Sequence, residues 1–303
     1  MGDAHNTLHA LEYLSAALVS WAIALCCAVY ARRLVCTRVP VLNVSDRAVF
    51  TARSLAGFIR QNPAAPKMRA FRTEVASVIK PNMSDLETAI AIRNWCRSQQ
   101  TGDWGTIDIS SEDPKLLLDR QRRGISGACR RFAYVFAGAL LAAGLDCRVV
   151  MVSPTVYKSN SGHTIVEVWI SELSKWVVMD SMYNAMLLVD GEPASLLEVH
   201  EVLTGGDPGR MKFARNGAVS EPTSTLDSDY VAMFEHLFYS MTNALFDGYQ
   251  VKLFSSKRIA FAHYVRRGGE PYPEGAKQAS IWLSIILTAF GLLCAIRGLW
   301  LRS

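Results

Sequence analysis

Two charge-free apolar runs near the ends of the chain, 13–31 and 279–296, constrain the architecture more than any other feature. Each is long enough to cross a hydrocarbon layer of about 30 Å as a helix. A cleaved signal peptide is a poor fit for the first run: no Lys or Arg precedes it, and Arg32 and Arg33 stand where small residues would mark a cleavage site. Two spanning helices leave a tail at 1–12, a tail at 297–303 and a central stretch on the opposite side of the bilayer. That stretch divides into a helical lead-in at 40–84, a core at 85–190 and an α+β extension at 191–277.

Flanking charge sets the expected orientation. No Lys or Arg precedes the first run, whereas Arg32, Arg33, Arg38 and Arg47 follow it; Arg266, Arg267 and Lys277 precede the second, against Arg297 and Arg302 after it. The excess of basic residues on the central side predicts a cytoplasmic central domain. The same flanks account for most of the net charge of +5, so no nucleic-acid partner is expected. The lipid bilayer is the partner that composition predicts.

Of the seven cysteines, Cys26, Cys27 and Cys294 lie in the apolar runs and Cys36 just past the first. Cys96, Cys129 and Cys147 fall in the central stretch, without the spacing of a disulfide framework or a zinc site. There is no HExxH, no paired CxxC and no glycine-rich phosphate loop, so no metal and no cofactor is expected.

Hydrophobic periodicity predicts short helices over TARSLAGFIRQ and KMRAFRTEVASVIK, then a helix over LETAIAIRNWCRS with capping signals at Ser84, Asp85 and Glu87. PKLLLDRQRR reads as a further short helix. A helix starts at Cys129 and ends near Ala143, with Gly144 as its stop. CRVVMVS, HTIVEVWI and KWVVMD read as strands. Beyond them, 194–204 reads as a helix, YVAMFEHLFYSMTNALF as a longer amphipathic helix, and VKLFSSKRIAFAHYV as strand-like.

Three residues stand in contexts that acyl-transfer chemistry requires. A thiol with an ordinary pKa near ~8.5 is mostly protonated at neutral pH, and a helix N-terminus favours its thiolate. Cys129 is placed at such a start, behind Gly124 and Gly127. His163 opens one strand and Asp180 closes the next. If Ile170–Leu173 form the connecting loop, Glu167 pairs with Trp176, Ile165 with Val178 and His163 with Asp180, which puts imidazole and carboxylate on one face. A loop one residue longer would send Asp180 to the other face. Glu167, on the same strand face as His163, is the competing carboxylate.

The stretch from Leu86 to Tyr183 resembles the transglutaminase-like superfamily: Gly127-Ala128-Cys129 at a helix start, the run from Gly144 to Arg148, His163 with Glu167-Val168, and Trp176 through Asp180. Thr164-Ile165 and Ser181-Met182 depart from the family's common Ala-Trp after the His and Pro-Thr after the Asp. The resemblance implies an α+β fold with a papain-like core, in which the Cys-bearing helix packs on an antiparallel sheet. It also implies catalytic roles for Cys129, His163 and Asp180 in acyl transfer or hydrolysis on a protein or peptide amide, through a thioester. Trp104 would be an oxyanion donor or a packing residue. A module that keeps the fold without the chemistry, as a membrane-tethered interaction protein, is the alternative. Arg120, Arg122, Arg123, Arg130 and Arg131 read as a solvated face, or as a surface for an acidic substrate or anionic lipid. His200 and His236, both placed in helices, receive no role.

Overall fold

The computed structural model describes residues 2–33, 50–53, 58–101, 113–125, 127–154, 162–215, 218–220, 225–240, 242–247, 261–264 and 274–300. They fall into two compact units, one holding both ends of the chain and the other the centre.

The first unit is a pair of long helices, α1 (Gly2–Arg33) and, last in the chain, α8 (Glu274–Trp300). Ala10, Ala17, Ala24 and Ala31 recur every seventh residue of α1 and are all buried, the spacing that keeps one seam turned toward a partner helix. Gly291 and Gly298 of α8 face that seam; a Cβ on Gly291 would run into the Trp21 indole. Small residues on both sides let the two backbones approach closely. Away from the seam Leu18, Leu25, Trp282 and Leu293 are exposed. His9–Ala31 and Ala279–Trp300 are long and apolar enough to cross a membrane, and little of either is buried.

The central unit is built on an antiparallel sheet. Its strands are β1 (Cys147–Ser153), β2 (His163–Ile170), β3 (Lys175–Asp180), β4 (Ala185–Val189), β5 (Glu192–Pro193), β6 (Met211–Arg215), β7 (Ala218–Ser220), β8 (His236–Ser240) and β9 (Phe261–Tyr264). Their order is β7-β6-β4-β3-β2-β1-β8-β9, with β5 paired to β4. One face, through Val149, Val166, Val168, Val177 and Met179, packs on α2 (Pro66–Val75), α3 (Asp85–Ser98), α4 (Pro114–Arg122) and α5 (Cys129–Ala142). The other, through Val150, Ile165, Val178, Leu187 and Phe213, packs on α6 (Leu196–Gly205) and the segment of α7 (Thr225–Ala232) that leads into β8. The central strands are therefore buried on both faces, which explains why they read as near-continuous apolar runs. This is the expected arrangement of the Cys129 helix on an antiparallel sheet. The extension is no separate layer, because β5–β9 continue the same sheet.

Most helix signals hold. Ser84 and Glu87 form a reciprocal capping box on α3, and Gly144 (φ +87°) takes the left-handed conformation that ends α5. Two expectations fail. Ile59 pairs with Thr242 as a parallel bridge, so TARSLAGFIRQ is not one helix. The predicted helix from Tyr230 to Phe246 breaks at His236, where HLFYS becomes β8. Leu237 and Tyr239 enter one core while Phe238 faces the other way, and all three are fully buried. A short apolar run flanked by polar residues fits a doubly buried strand as well as a helix.

The β2–β3 hairpin turns one residue later on each strand than the sequence reading assumed. Its loop is Ser171–Ser174, closed by the pair Ile170–Lys175, so Glu167 faces Val178 and Trp169 faces Trp176. The loop is gripped by the start of α3: Asp85 accepts from the Ser171 N–H and Glu172 from the Leu86 N–H. Ser174 supplies the left-handed residue (φ +49°). Because the pairing moves by two positions, every side chain keeps its face.

Glu167 does not serve His163. It forms a buried ion pair with Arg148 at 2.7 Å and accepts the Leu196 N–H at 2.7 Å. The Arg148 guanidinium lies between the rings of Trp176 and Tyr239, 4.3 and 4.4 Å from their centroids. Removing one member of such a pair strands a charge in the core. Glu167→Gln should therefore lower stability by about 3 kcal/mol in chemical denaturation of the detergent-solubilised chain. Arg148→Met/Glu167→Leu should recover much of that loss.

Candidate functional site

Cys129 is the first residue of α5. The residue at the cap position, Ala128, offers no side-chain hydrogen bond to the helix start. An Asn, Asp, Ser or Thr there would be worth about 1 kcal/mol. The Arg131 N–H bonds the Ala128 carbonyl at 2.9 Å, and the Cys129 N–H stands at the helix start beside the thiol. The approach to the helix is held from behind. Arg131, in the first turn of α5, is buried and donates from Nη1 to the Ile125 carbonyl. A Cβ on Gly127 would run into the Arg131 guanidinium, so a larger residue there would displace that side chain, while Gly124 (φ +71°) supplies the turn before it.

The arginine run is thus not one solvated face. Arg131 is structural, Arg122 binds Glu74 and Gln99 and lies over Trp95, and Arg130 lies over Tyr134.

His163 opens β2 opposite Val152, and Asp180 closes β3 one step past the last β2–β3 pair. They are diagonal neighbours rather than directly opposed, a separation the imidazole can span. His163 Nε2 lies 2.6 Å from Asp180 Oδ2, with both side chains almost fully buried. The Cys129 thiol shares a hydrogen bond with the His163 ring and also meets the Thr164 backbone. The structure therefore brings Cys129, His163 and Asp180 together in one chain of contacts. Trp104 and Cys36 lie outside the described residues.

Asp180 is tied down at both oxygens. Oδ1 accepts from the Met182 and Tyr183 N–H groups at 2.9 and 3.1 Å; Oδ2 accepts from His163 and, at 2.7 Å, from the Tyr230 hydroxyl. The sequence reading assigned no role to Tyr230, which comes from α7, fifty residues from Asp180. Its one local signal is an aromatic on the apolar side of a helix, which usually marks plain packing. Arg93 was missed likewise. It is 3% exposed on α3, donates from Nε to Asn184, and has no hydrogen-bond partner for Nη1 among the described residues. Burial lowers its pKa to about 10, against the opposing pull of the Asp180 charge.

These contacts set the ionisation. Burial resists a charged imidazole, but the Asp180 charge and hydrogen bond, then the thiol, more than offset it and raise His163 to about 10. Burial likewise resists the thiolate, and the hydrogen bond and charge of His163 overcome it, lowering Cys129. For Asp180, burial is outweighed by His163, Tyr230 and the Tyr183 N–H, so its pKa is lowered. By contrast Cys96 and Cys147 are fully buried and pushed up. In the ionised form of the Cys129–His163 pair, thiolate, imidazolium, carboxylate and Arg93 sum to zero charge, an arrangement a buried site can hold.

Residues 72–181 match the model of the Transglutaminase-like superfamily. Neither a curated protein nor a solved structure gives a significant match. The match starts in α2 and stops just past Asp180, so it takes in Cys129, His163 and Asp180 but not α6, α7 or β4–β9. Among the described residues no cluster of His, Cys, Asp and Glu is arranged to hold a metal ion. His200 Nδ1 bonds the Phe234 carbonyl, and His236 begins β8 rather than sitting in a helix.

The His163 shift carries a sign that stability can report. A histidine whose folded pKa lies above its unfolded value near ~6.5 contributes stability that is complete below ~6.5. That contribution is lost as pH rises through about 10. The unfolding free energy should fall in the wild type between pH ~8.5 and about 10, above the range in which the lowered Cys129 thiol contributes in the opposite direction. In Asp180→Asn, which removes the largest upward pull, that slope should flatten; equal slopes in the two proteins would contradict the coupling.

Proposed function

We propose that the chain is a membrane-anchored thiol enzyme of transglutaminase-like type, acting on a protein or peptide amide. The observation that carries this reading is the continuous contact from the Cys129 thiol through His163 to Asp180, inside the segment that matches the superfamily model. A thiolate–imidazolium pair formed in advance needs no separate activation step.

In the proposed reaction Cys129 Sγ forms a bond to the substrate carbonyl carbon, and the Cys129 N–H at the start of α5 receives the oxyanion. Collapse breaks the C–N bond as His163 gives its proton to the departing amine, leaving a thioester. Water or a second amine then attacks the thioester carbonyl and yields its proton to His163, and the thiolate leaves. Asp180 keeps the imidazole in one tautomer and orientation throughout and stabilises its charged form.

A thiol-directed electrophile at near-neutral pH should label Cys129 faster than Cys96 or Cys147. Labelling should disappear in Cys129→Ala and persist in Cys96→Ala and Cys147→Ala. Equal labelling of wild type and Cys129→Ala would remove the nucleophile assignment.

The anchoring reading rests on α1 and α8, and the orientation on the basic residues that flank the central segment. We place the central domain on the cytoplasmic side. A reporter active only in the cytoplasm, inserted near Gly206 on the exposed end of α6, should be active. A silent reporter there, with an export-dependent one active in its place, would reverse the orientation and leave the chemistry untouched.

A further inference from the structure

We propose that Tyr230 is a positioning residue of the acyl-transfer site, so that the working unit runs past the superfamily match to include α7. The proposal rests on the Cys129–His163–Asp180 reading and deepens it. Asp180 lies at the sheet end with His163 on β2, and the buried Tyr230 reaches it from a helix on the side opposite α5.

Two features separate this contact from ordinary packing. The Tyr230 hydroxyl and His163 Nε2 converge on the same oxygen, Asp180 Oδ2, at 2.7 and 2.6 Å, while backbone N–H groups hold Oδ1. The plane of the carboxylate is thereby fixed from four directions. The Tyr230 ring also meets the imidazole edge-on, 5.3 Å between centroids and 65° between planes, and Tyr183 closes another side at 5.5 Å. Phe213 and Phe234 hold the Tyr230 ring in turn. A phenylalanine would preserve every one of these ring contacts and lose only the donor.

The charged and titratable groups around this point come from five places. Cys129 and His163 lie on one side, Arg93 on α3 and Arg215 on β6 act through their charges, and Tyr183 stands in the turn after β3. Burial and the Asp180 charge push the Tyr230 phenol well up, so it remains a neutral donor throughout the range in which the thiol pair forms. A carboxylate that loses such a donor is easier to protonate. Once Asp180 is neutral, His163 loses its largest support and the thiolate loses its imidazolium.

The test is the pH dependence of Cys129 alkylation by iodoacetamide in the full detergent-solubilised chain, followed on the Cys129 peptide by mass spectrometry. In Tyr230→Phe the acidic limb should move up by about one pH unit, the worth of a hydrogen bond to a charged group. Replacing Tyr230 by 3-fluorotyrosine, a stronger donor, should move the limb down, and does not depend on how well the phenylalanine variant folds. A purely structural role would lower thermal stability and leave the limb in place. A low-pH limb in the wild type that neither replacement moves overturns the Tyr230 assignment alone. A wild-type Cys129 that titrates only in the ordinary thiol range overturns the acyl-transfer reading and this proposal with it.

Discussion

The site depends on keeping a full negative charge on Asp180 inside the protein. An isolated carboxylate at 1% exposure would take up a proton rather than stay ionised. Four donors and the nearby Arg93 prevent this, and they come from β2, the turn after β3, α7 and α3. Those elements lie on both faces of the sheet. The two hydrophobic cores therefore do more than bury apolar surface: each delivers one part of the shell that keeps Asp180 charged, and through it the His163–Cys129 pair.

The local elements that position the three central residues were legible in the sequence because each carries its own chemistry. Cys129 at a helix start, His163 at the head of β2 and Asp180 at the foot of β3 occupy those places in the structure. The exact pairing was not legible. Turn position depends on the left-handed Ser174 and on contacts from Asp85 and to Leu86, which lie about ninety residues away in sequence. The two-position shift preserved the faces, so a wrong register still led to the right neighbours.

What escaped the sequence was long-range by nature. Tyr230 and Arg93 look like an amphipathic aromatic and a helix-face cation until the fold brings them to Asp180. Glu167 looked like a rival for His163 because it shares the strand face, and only the partner strands reveal Arg148 as its counter-ion. The His236–Ser240 run failed for a related reason. A segment buried on both sides has no period to read, and its identity as β8 comes from β1 and β9.

The paired helices have a consequence of connectivity as well as packing. By holding α1 to α8, the seam of Ala10, Ala17, Ala24 and Ala31 against Gly291 and Gly298 turns everything between them into a closed loop. Unfolding the central unit then releases a tethered chain rather than one with free ends, a smaller gain in entropy. The closure cost grows only with the logarithm of loop length, about 0.6 kcal/mol per doubling, so the intervening segment can lengthen at little thermodynamic penalty. A single backbone cut anywhere between the two helices leaves both fragments joined by the pair.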